Sequence, residues 1–249
     1  MTFLLYLFGF LPSIIWLSYY LRKDKHPEPN KMVLLVFFLG MAAALVAVFA
    51  QLLFKEIVVL ANPSLMVFWA LNIFIGAGII EETAKFFAVK FAVLKNKALD
   101  EPADLLIYMI IAALGFAALE NILYLQGQIL NKENLAILSN YHTLLPAKKT
   151  VEFIALRFIS ATFLHALCSG FIGYFLALSF YHSKNKRAYL FSGIIAASAL
   201  HGLYNWALLT MANPWNLYLP IAILIFLSCF VSFSFKKLKK LQSTCQIYD

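Results

Sequence analysis

Seven ionisable side chains lie inside long apolar runs of this 249-residue sequence: Glu81, Glu82, Lys85, Glu120, Arg157, His165 and His201. A charged side chain in the hydrocarbon core of a bilayer costs about 3 kcal/mol or more. These residues are therefore expected to face one another or a water-filled cavity. Carboxylates and imidazoles gathered in such a place can transfer protons or bind a metal ion, so this set is the predicted functional site.

The spacing within the first group points to acid–base chemistry. Glu81 and Lys85 are four residues apart and share one helix face, and Glu82 lies three residues from Lys85. A lysine placed this way can keep one carboxylate ionised while burial favours the protonated form of the other. Two carboxylates in different protonation states suit general acid–base catalysis. The alternative is an ion pair that only fixes helix packing, and the cost of placing charge in a membrane favours function.

The remaining polar residues lie on later apolar runs. His201 and Asn205 are four residues apart on one face, in a pattern that lacks the HExxH of zincins. Arg157 and Glu120 fall at comparable distances from the outer ends of their runs, which predicts that they pair. Antiparallel neighbouring helices can bring these groups and His165 into one cavity that opens towards the outside.

The composition identifies the elements that must position these residues. The chain is 63% hydrophobic and 13% charged, with a mean hydropathy of +0.82, and a soluble domain is usually about 45–50% apolar. Each apolar run is near or above the roughly 20 residues that cross a bilayer as a helix. The predicted fold is therefore an all-α, polytopic transmembrane bundle of about seven spans, which form a single integral membrane domain over residues 1–249. The predicted spans are about 3–21, 32–54, 64–94, 104–127, 151–181, 188–211 and 216–235.

The third apolar run is longer than a straight span requires. Its 31 residues would form a helix roughly 46 Å long. We expect it to tilt, kink or emerge from the membrane, with Gly76 and Gly78 as the weak point.

Charge sets the predicted orientation. The loops 22–31, 95–103 and 182–187 and the tail 236–249 hold 13 Lys and Arg residues, and the segments on the other side hold 4. By the positive-inside rule the N-terminus lies outside and the C-terminus is cytoplasmic. The net charge of +8 is thus explained by the membrane loops rather than by binding of nucleic acid.

The motifs in their order along the chain resemble the PrsW family of intramembrane proteases, over most of its length. The matching elements are Tyr20, Asp24, Pro27-Glu28-Pro29, Glu81-Glu82-Thr83-Ala84-Lys85, Asp100-Glu101-Pro102 with Asp104 and Tyr108, Gly115-Phe116-Ala117, Glu120-Asn121, Tyr124, Arg157, His165 and His201-Gly202-Leu203-Tyr204-Asn205. That family is distantly similar to the CAAX prenyl endopeptidase and bacteriocin-processing superfamily. Lys85 and Glu120 depart from the arginine and histidine of that superfamily, which argues against a prenyl-protein substrate.

The resemblance implies a function and a location. It implies site-1 cleavage of a single-span membrane protein, typically an anti-sigma factor, from the outer side of the bacterial plasma membrane. The partners are then this substrate and the lipid bilayer. A non-catalytic membrane scaffold and a proton-coupled transporter are the alternatives, because both can use buried polar clusters.

Two mechanisms for peptide hydrolysis stay open at this point. In the first, Glu81 or Glu82 acts with His165 to activate water. In the second, zinc binds to His165, His201 and one of the two glutamates.

The other predicted residues have supporting roles in either mechanism. In the metal-free version, His201 and Asn205 hold the oxyanion. Lys85 tunes the glutamate pair. The residues predicted to shape the cavity or bind the substrate backbone are Glu120, Asn121 and Arg157.

Overall fold

The computed structural model describes residues 2–23, 27–138, 147–181 and 185–240, and the side chains of 2–5, 8, 125–138 and 147–159 are outside the description. The described residues form seven helices and no strand, which confirms the predicted all-α fold. The helices are α1 (Thr2–Leu21), α2 (Asn30–Leu60), α3 (Leu65–Ala92), α4 (Pro102–Leu138), α5 (Ala147–Tyr181), α6 (Lys186–Thr210) and α7 (Trp215–Leu238).

Five of these helices are long and apolar enough to cross a membrane: α2, α3, α4, α5 and α7. The count of seven spans and the sides of the two termini stay predictions. The helices extend past several predicted ends, most of all α4, which continues to Leu138 instead of ending near residue 127. The residues of this extension are too polar for a lipid-embedded span, but Gln, Leu, Lys, Glu and Ala are good helix formers.

The third apolar run forms one continuous helix of 28 residues with a defect in its middle. Residues Asn72–Ile80 of α3 have π-helical geometry, and this segment contains Gly76 and Gly78. The predicted weak point is therefore a local widening of the helix. The carbonyl oxygen of Gly76 accepts a hydrogen bond from Gln51 Nε2 on α2 at 3.2 Å. Such π segments occur frequently at functional sites, and Glu81 follows this one directly.

Helix α4 is the centre of the bundle and is buried from residue 102 to residue 118. Pro102 opens the helix, and Asp104 accepts hydrogen bonds from the backbone N–H groups of Asp100 and Glu101. A helix that is apolar on all sides is stable only when other helices surround it. Packing with α1, α2 and α5 provides that environment.

Close backbone contacts fix α2 against α4. A Cβ atom at Gly40 would overlap the carbonyl oxygen of Ala112, and one at Gly115 would overlap that of Phe37. Small residues are the usual means of close helix approach in membranes, where apolar side chains gain little by leaving lipid. This contact sets the position of Glu120, which lies further along α4.

Candidate active site

Six side chains of the predicted set meet in the interior of the bundle. They come from four helices: Glu81, Glu82 and Lys85 from α3, Glu120 from α4, His165 from α5 and His201 from α6. All except Glu120 are buried. Tertiary packing thus brings together most of the predicted residues, although up to 120 positions separate them in the sequence.

Glu82 and Lys85 are the two members of this cluster without solvent exposure, and Glu82 makes the larger number of hydrogen bonds. It is fully buried, and its Oε1 accepts hydrogen bonds from Lys85 Nζ at 2.6 Å and from His201 Nδ1 at 2.8 Å. Its Oε2 accepts a hydrogen bond from Ser169 Oγ at 3.0 Å. Glu82 does not line the cavity described below. Its environment therefore suits a group that orients its neighbours rather than one that meets a substrate.

Lys85 connects the two sides of the cluster. Besides Glu82, its Nζ contacts His165 Nδ1 at 2.7 Å and lies 4.5 Å from the centre of the Phe116 ring. An ammonium group can only donate, so His165 Nδ1 is the acceptor. His165 Nε2 then carries the hydrogen and donates to Glu120 Oε2 at 2.7 Å.

His201 is oriented in the same way by a carboxylate. Because Glu82 can only accept, His201 Nδ1 is the donor, and the lone pair of the neutral ring lies on Nε2. Each imidazole is thus held by a glutamate through one nitrogen and directs the other nitrogen towards the middle of the cluster. Carboxylates behind ligand histidines fix the tautomer and orientation of the ring in metal sites.

Glu81 Oε2 lies at that middle point. Its other oxygen, Oε1, accepts a hydrogen bond from Gln51 Nε2 at 2.9 Å. Oε2 is buried and has no hydrogen-bond partner in the described part of the chain. It lies 3.9 Å from Lys85 Nζ, from His165 Nδ1 and from His201 Nε2. A buried carboxylate oxygen without a donor is costly, and it faces the lone pair of His201 across this gap.

This arrangement fits a metal ion. One ligand atom from each of Glu81, His165 and His201 lies within 4.8 Å of the others. Two nitrogens and one oxygen are common zinc ligands, and ligand atoms about 2.1 Å from a tetrahedral zinc are about 3.4 Å apart. The observed 3.9 Å from Oε2 to each imidazole nitrogen is within about half an ångström of that spacing. Oε2, to which none of the described residues donates a hydrogen bond, supplies the acceptor that a cation needs.

A cavity of 740 Å³ connects the cluster to one end of the bundle. Its polar floor includes Glu81, Glu120, His165 and His201, and its walls are mainly apolar residues of α2, α5, α6 and α7. The wall residues of α2, α6 and α7 belong to the halves of these helices that adjoin the α2–α3 and α6–α7 connections. The cavity thus combines mainly apolar walls with a polar floor, which is the usual composition of a ligand-binding pocket.

The remaining predicted residues are Asn205, Asn121 and Arg157. Asn205 lines the cavity one turn beyond His201. Asn121 does not line it, because one residue along α4 turns the side chain about 100° from Glu120; its Nδ2 bonds to Thr162 Oγ1 and the Gly9 carbonyl instead. The side chain of Arg157 lies outside the described residues, so its predicted pairing with Glu120 stays a prediction.

Three residues that contact the cluster had no predicted role, and the first is Ser169, which donates to Glu82 Oε2. Gln51 holds Glu81, and it was recognisable as an uncharged polar residue in an otherwise apolar run. Phe116 covers Lys85 and lies 5.5 Å from the His165 ring, centre to centre. An aromatic residue inside an apolar helix carries no signal of such a role.

Comparison with known proteins reveals clear relatives. A sequence model of the family described as PrsW family intramembrane metalloprotease matches residues 28–233. The chain is 31% identical over 217 residues to Protease PrsW of Geobacillus kaustophilus (strain HTA426), which covers 87% of this chain and 84% of that protein. It is 31% identical over 238 residues to Protease PrsW of Bacillus subtilis (strain 168), with 94% of each covered. No solved structure matches the chain at a significant level.

Proposed function

The chain belongs to the PrsW family of intramembrane metalloproteases, and from this premise we propose that it hydrolyses a peptide bond of a single-span membrane protein. The observation that carries the proposal is the buried group of Glu81, His165 and His201 at the floor of a cavity. We further propose that the protein lies in the bacterial plasma membrane and that its substrate is an anti-sigma factor, cleaved at site 1.

The residues in the walls of the cavity favour a transmembrane segment as the substrate. Leu52 of α2, Leu209 of α6 and Ile221 of α7 line the cavity and are also 44–63% exposed on the apolar surface of the bundle. The described helices α2 and α7 do not pack against each other extensively. An apolar segment can therefore pass from lipid into the cavity without crossing a polar barrier. In the predicted orientation the cavity opens to the outer side, as site-1 cleavage requires.

Zinc is the proposed cofactor, with Glu81 Oε2, His165 Nδ1 and His201 Nε2 as its ligands. With neutral imidazoles, the three carboxylates and one ammonium of the cluster sum to a formal charge of −2, which a divalent cation would balance. When bound in a three-ligand site, zinc supplies Lewis acidity towards a carbonyl group and towards water. Lys85 Nζ and a metal ion compete for the same His165 lone pair.

In this proposal Glu120 is the residue that transfers the proton. It is the carboxylate of the cluster that lines the cavity without being a proposed ligand, and its side chain is 32% exposed. Glu120 Oε takes the proton of the attacking water and gives it to the nitrogen of the leaving amine. Asn205 Nδ2 donates a hydrogen bond to the developing oxyanion. Glu82, which was one of two predicted bases, is a positioning residue that orients His201 and Lys85.

Co-expression with a tagged single-span substrate tests the activity. We expect Glu81→Gln, His165→Ala and His201→Ala to abolish cleavage. Glu56→Gln is the matched control, because Glu56 is an exposed glutamate of α2 outside the cluster. Wild-type rates in all three cluster variants would rule out the protease assignment and favour a scaffold.

Metal analysis tests the cofactor separately. Protein purified without chelators is expected to carry about one zinc per chain, and each ligand variant is expected to lose it. An active wild-type protein that contains no metal after dialysis against chelator would leave proteolysis standing and overturn the zinc site.

A further inference from the structure

A second cavity, of 510 Å³, lies between α1 and α7 at the end of the bundle opposite the candidate active site. We call it the basic groove and define it by Trp16, Lys23, Phe163, Val231, Lys236 and Lys239, which line it. The described parts of α1 and α7 do not pack against each other extensively, and α5 contributes to the lining between them. The groove takes no part in the proposed reaction.

The inner part of the groove is apolar. Trp16 stacks on Phe163 with ring centres 4.0 Å apart, and Tyr20 stacks on Phe235 at 6.3 Å. Val231 is buried beside them. In a bilayer, a groove of this kind holds hydrocarbon, because an empty space would lose dispersion contacts along all of its walls.

The mouth of the groove is strongly basic. Lys23, Lys236 and Lys239 are exposed there, and none of the described residues that line the groove is acidic. Lys239 Nζ donates to the carbonyl oxygen of Lys23, which holds the two lysines together. Lys23 Nζ lies 4.9 Å from the centre of the Tyr19 ring. Three ammonium groups beside an apolar slot match an anionic head group that is attached to an acyl chain.

The length of the groove agrees with this ligand. From Ser228 to Lys239 on α7 it extends over eleven residues, or about 16 Å. The hydrocarbon of one leaflet is about 15 Å thick. We propose that the basic groove binds an anionic phospholipid, with its phosphate among the three lysines and one acyl chain against Trp16 and Val231.

Trp16 provides a probe of this site. Of the four tryptophans in the chain, the other three lie outside the groove, so the variant Trp69→Phe/Trp206→Phe/Trp215→Phe reports from Trp16 alone. This variant is reconstituted in phosphatidylcholine vesicles that contain increasing amounts of brominated phosphatidylglycerol or brominated phosphatidylcholine. Quenching is expected to give a relative association constant of about 5 or more in favour of phosphatidylglycerol.

Lysine variants show whether the groove is responsible. Lys23→Gln/Lys236→Gln/Lys239→Gln is expected to reduce the ratio to about 1. The control Lys95→Gln/Lys97→Gln/Lys186→Gln removes three exposed lysines outside the groove and is expected to keep the full ratio. Glycerol 3-phosphate in the buffer is expected to leave quenching unchanged, since a free phosphate ester lacks the acyl chain.

Three results would overturn the proposal. The first is equal quenching by the two lipids. The second is an unchanged preference for phosphatidylglycerol in the variant Lys23→Gln/Lys236→Gln/Lys239→Gln. The third is an absence of quenching by either lipid, which would indicate that protein covers the groove. None of these results bears on peptide hydrolysis, so the lipid site and the proposed protease function can fail independently.

Discussion

The buried contact between Glu82 and Lys85 allows a quantitative prediction about the free energy of unfolding. Their 2.6 Å hydrogen bond joins two side chains without solvent exposure, and Glu82 is also bonded to Ser169 and His201. In Glu82→Gln the lysine keeps its charge in the interior but loses its nearest counter-charge, and only Glu81 Oε2 remains, at 3.9 Å. In Glu82→Gln/Lys85→Met both charges are gone, and methionine has a length and shape similar to those of lysine.

The expected magnitudes follow from the burial. Removing one partner of a buried ion pair costs about 3–5 kcal/mol, whereas replacing both partners by well-packed hydrophobic residues of similar volume is often nearly neutral. The single variant is therefore expected to lose about 3 kcal/mol or more of unfolding free energy. The double variant should recover most of that loss, with a coupling energy of about 2–3 kcal/mol. Recovery stays incomplete because Lys85 also bonds to His165.

Unfolding by SDS in mixed micelles, followed by circular dichroism in the presence of chelator, measures these free energies without bound metal. The cycle of Glu81→Gln with Lys85→Met is the matched comparison. Glu81 Oε2 is 3.9 Å from the same Nζ and makes no hydrogen bond with it, so a smaller coupling is expected. If the effects of the Glu82 and Lys85 substitutions add within about 0.5 kcal/mol, the proposed geometry of the cluster is refuted.

Three further predictions concern activity and metal binding. Glu120→Gln is expected to lower kcat by about 10²–10⁴ at saturating zinc, and a kcat within about twofold of wild type would exclude it as the base. Gln51→Leu leaves Glu81 Oε1 without its donor and should weaken zinc binding about 10–100-fold in a chelator competition. Gly78→Ala places a Cβ 2.6 Å from the Ser198 carbonyl oxygen and should impair cleavage by separating α3 from α6. Gly76→Ala, whose nearest new contact is 4.0 Å away, is the control in the same π-helical segment, and equal effects of the two would contradict the packing argument.

Much of the candidate site was accessible from residue types alone. The energetic cost of charge in hydrocarbon singled out Glu81, Glu82, Lys85, His165 and His201, and all five lie in one cluster. Asn121, which is predicted to shape the cavity or bind the substrate backbone, bonds to Thr162 of α5 and to Gly9 of α1. Burial cost shows that a polar residue needs a partner, but not whether the partner is a catalytic group or the neighbouring helix.

Residue types and their spacing are enough to identify the apolar helices and the polar residues that must meet between them. Both follow from transfer free energies, which depend on residue type and on local spacing. The packing of the helices determines which atoms face one another: Glu120 lies behind His165, Glu82 lies behind His201, and Glu81 Oε2 lies between the two rings. These contacts depend on helix rotation and on close approach at glycines. The side chains of Glu81 and Glu82 point in directions about 100° apart, and no sequence pattern shows what each direction faces. For that reason the tertiary structure could give the two adjacent glutamates different environments, with one on the cavity and one enclosed by donors.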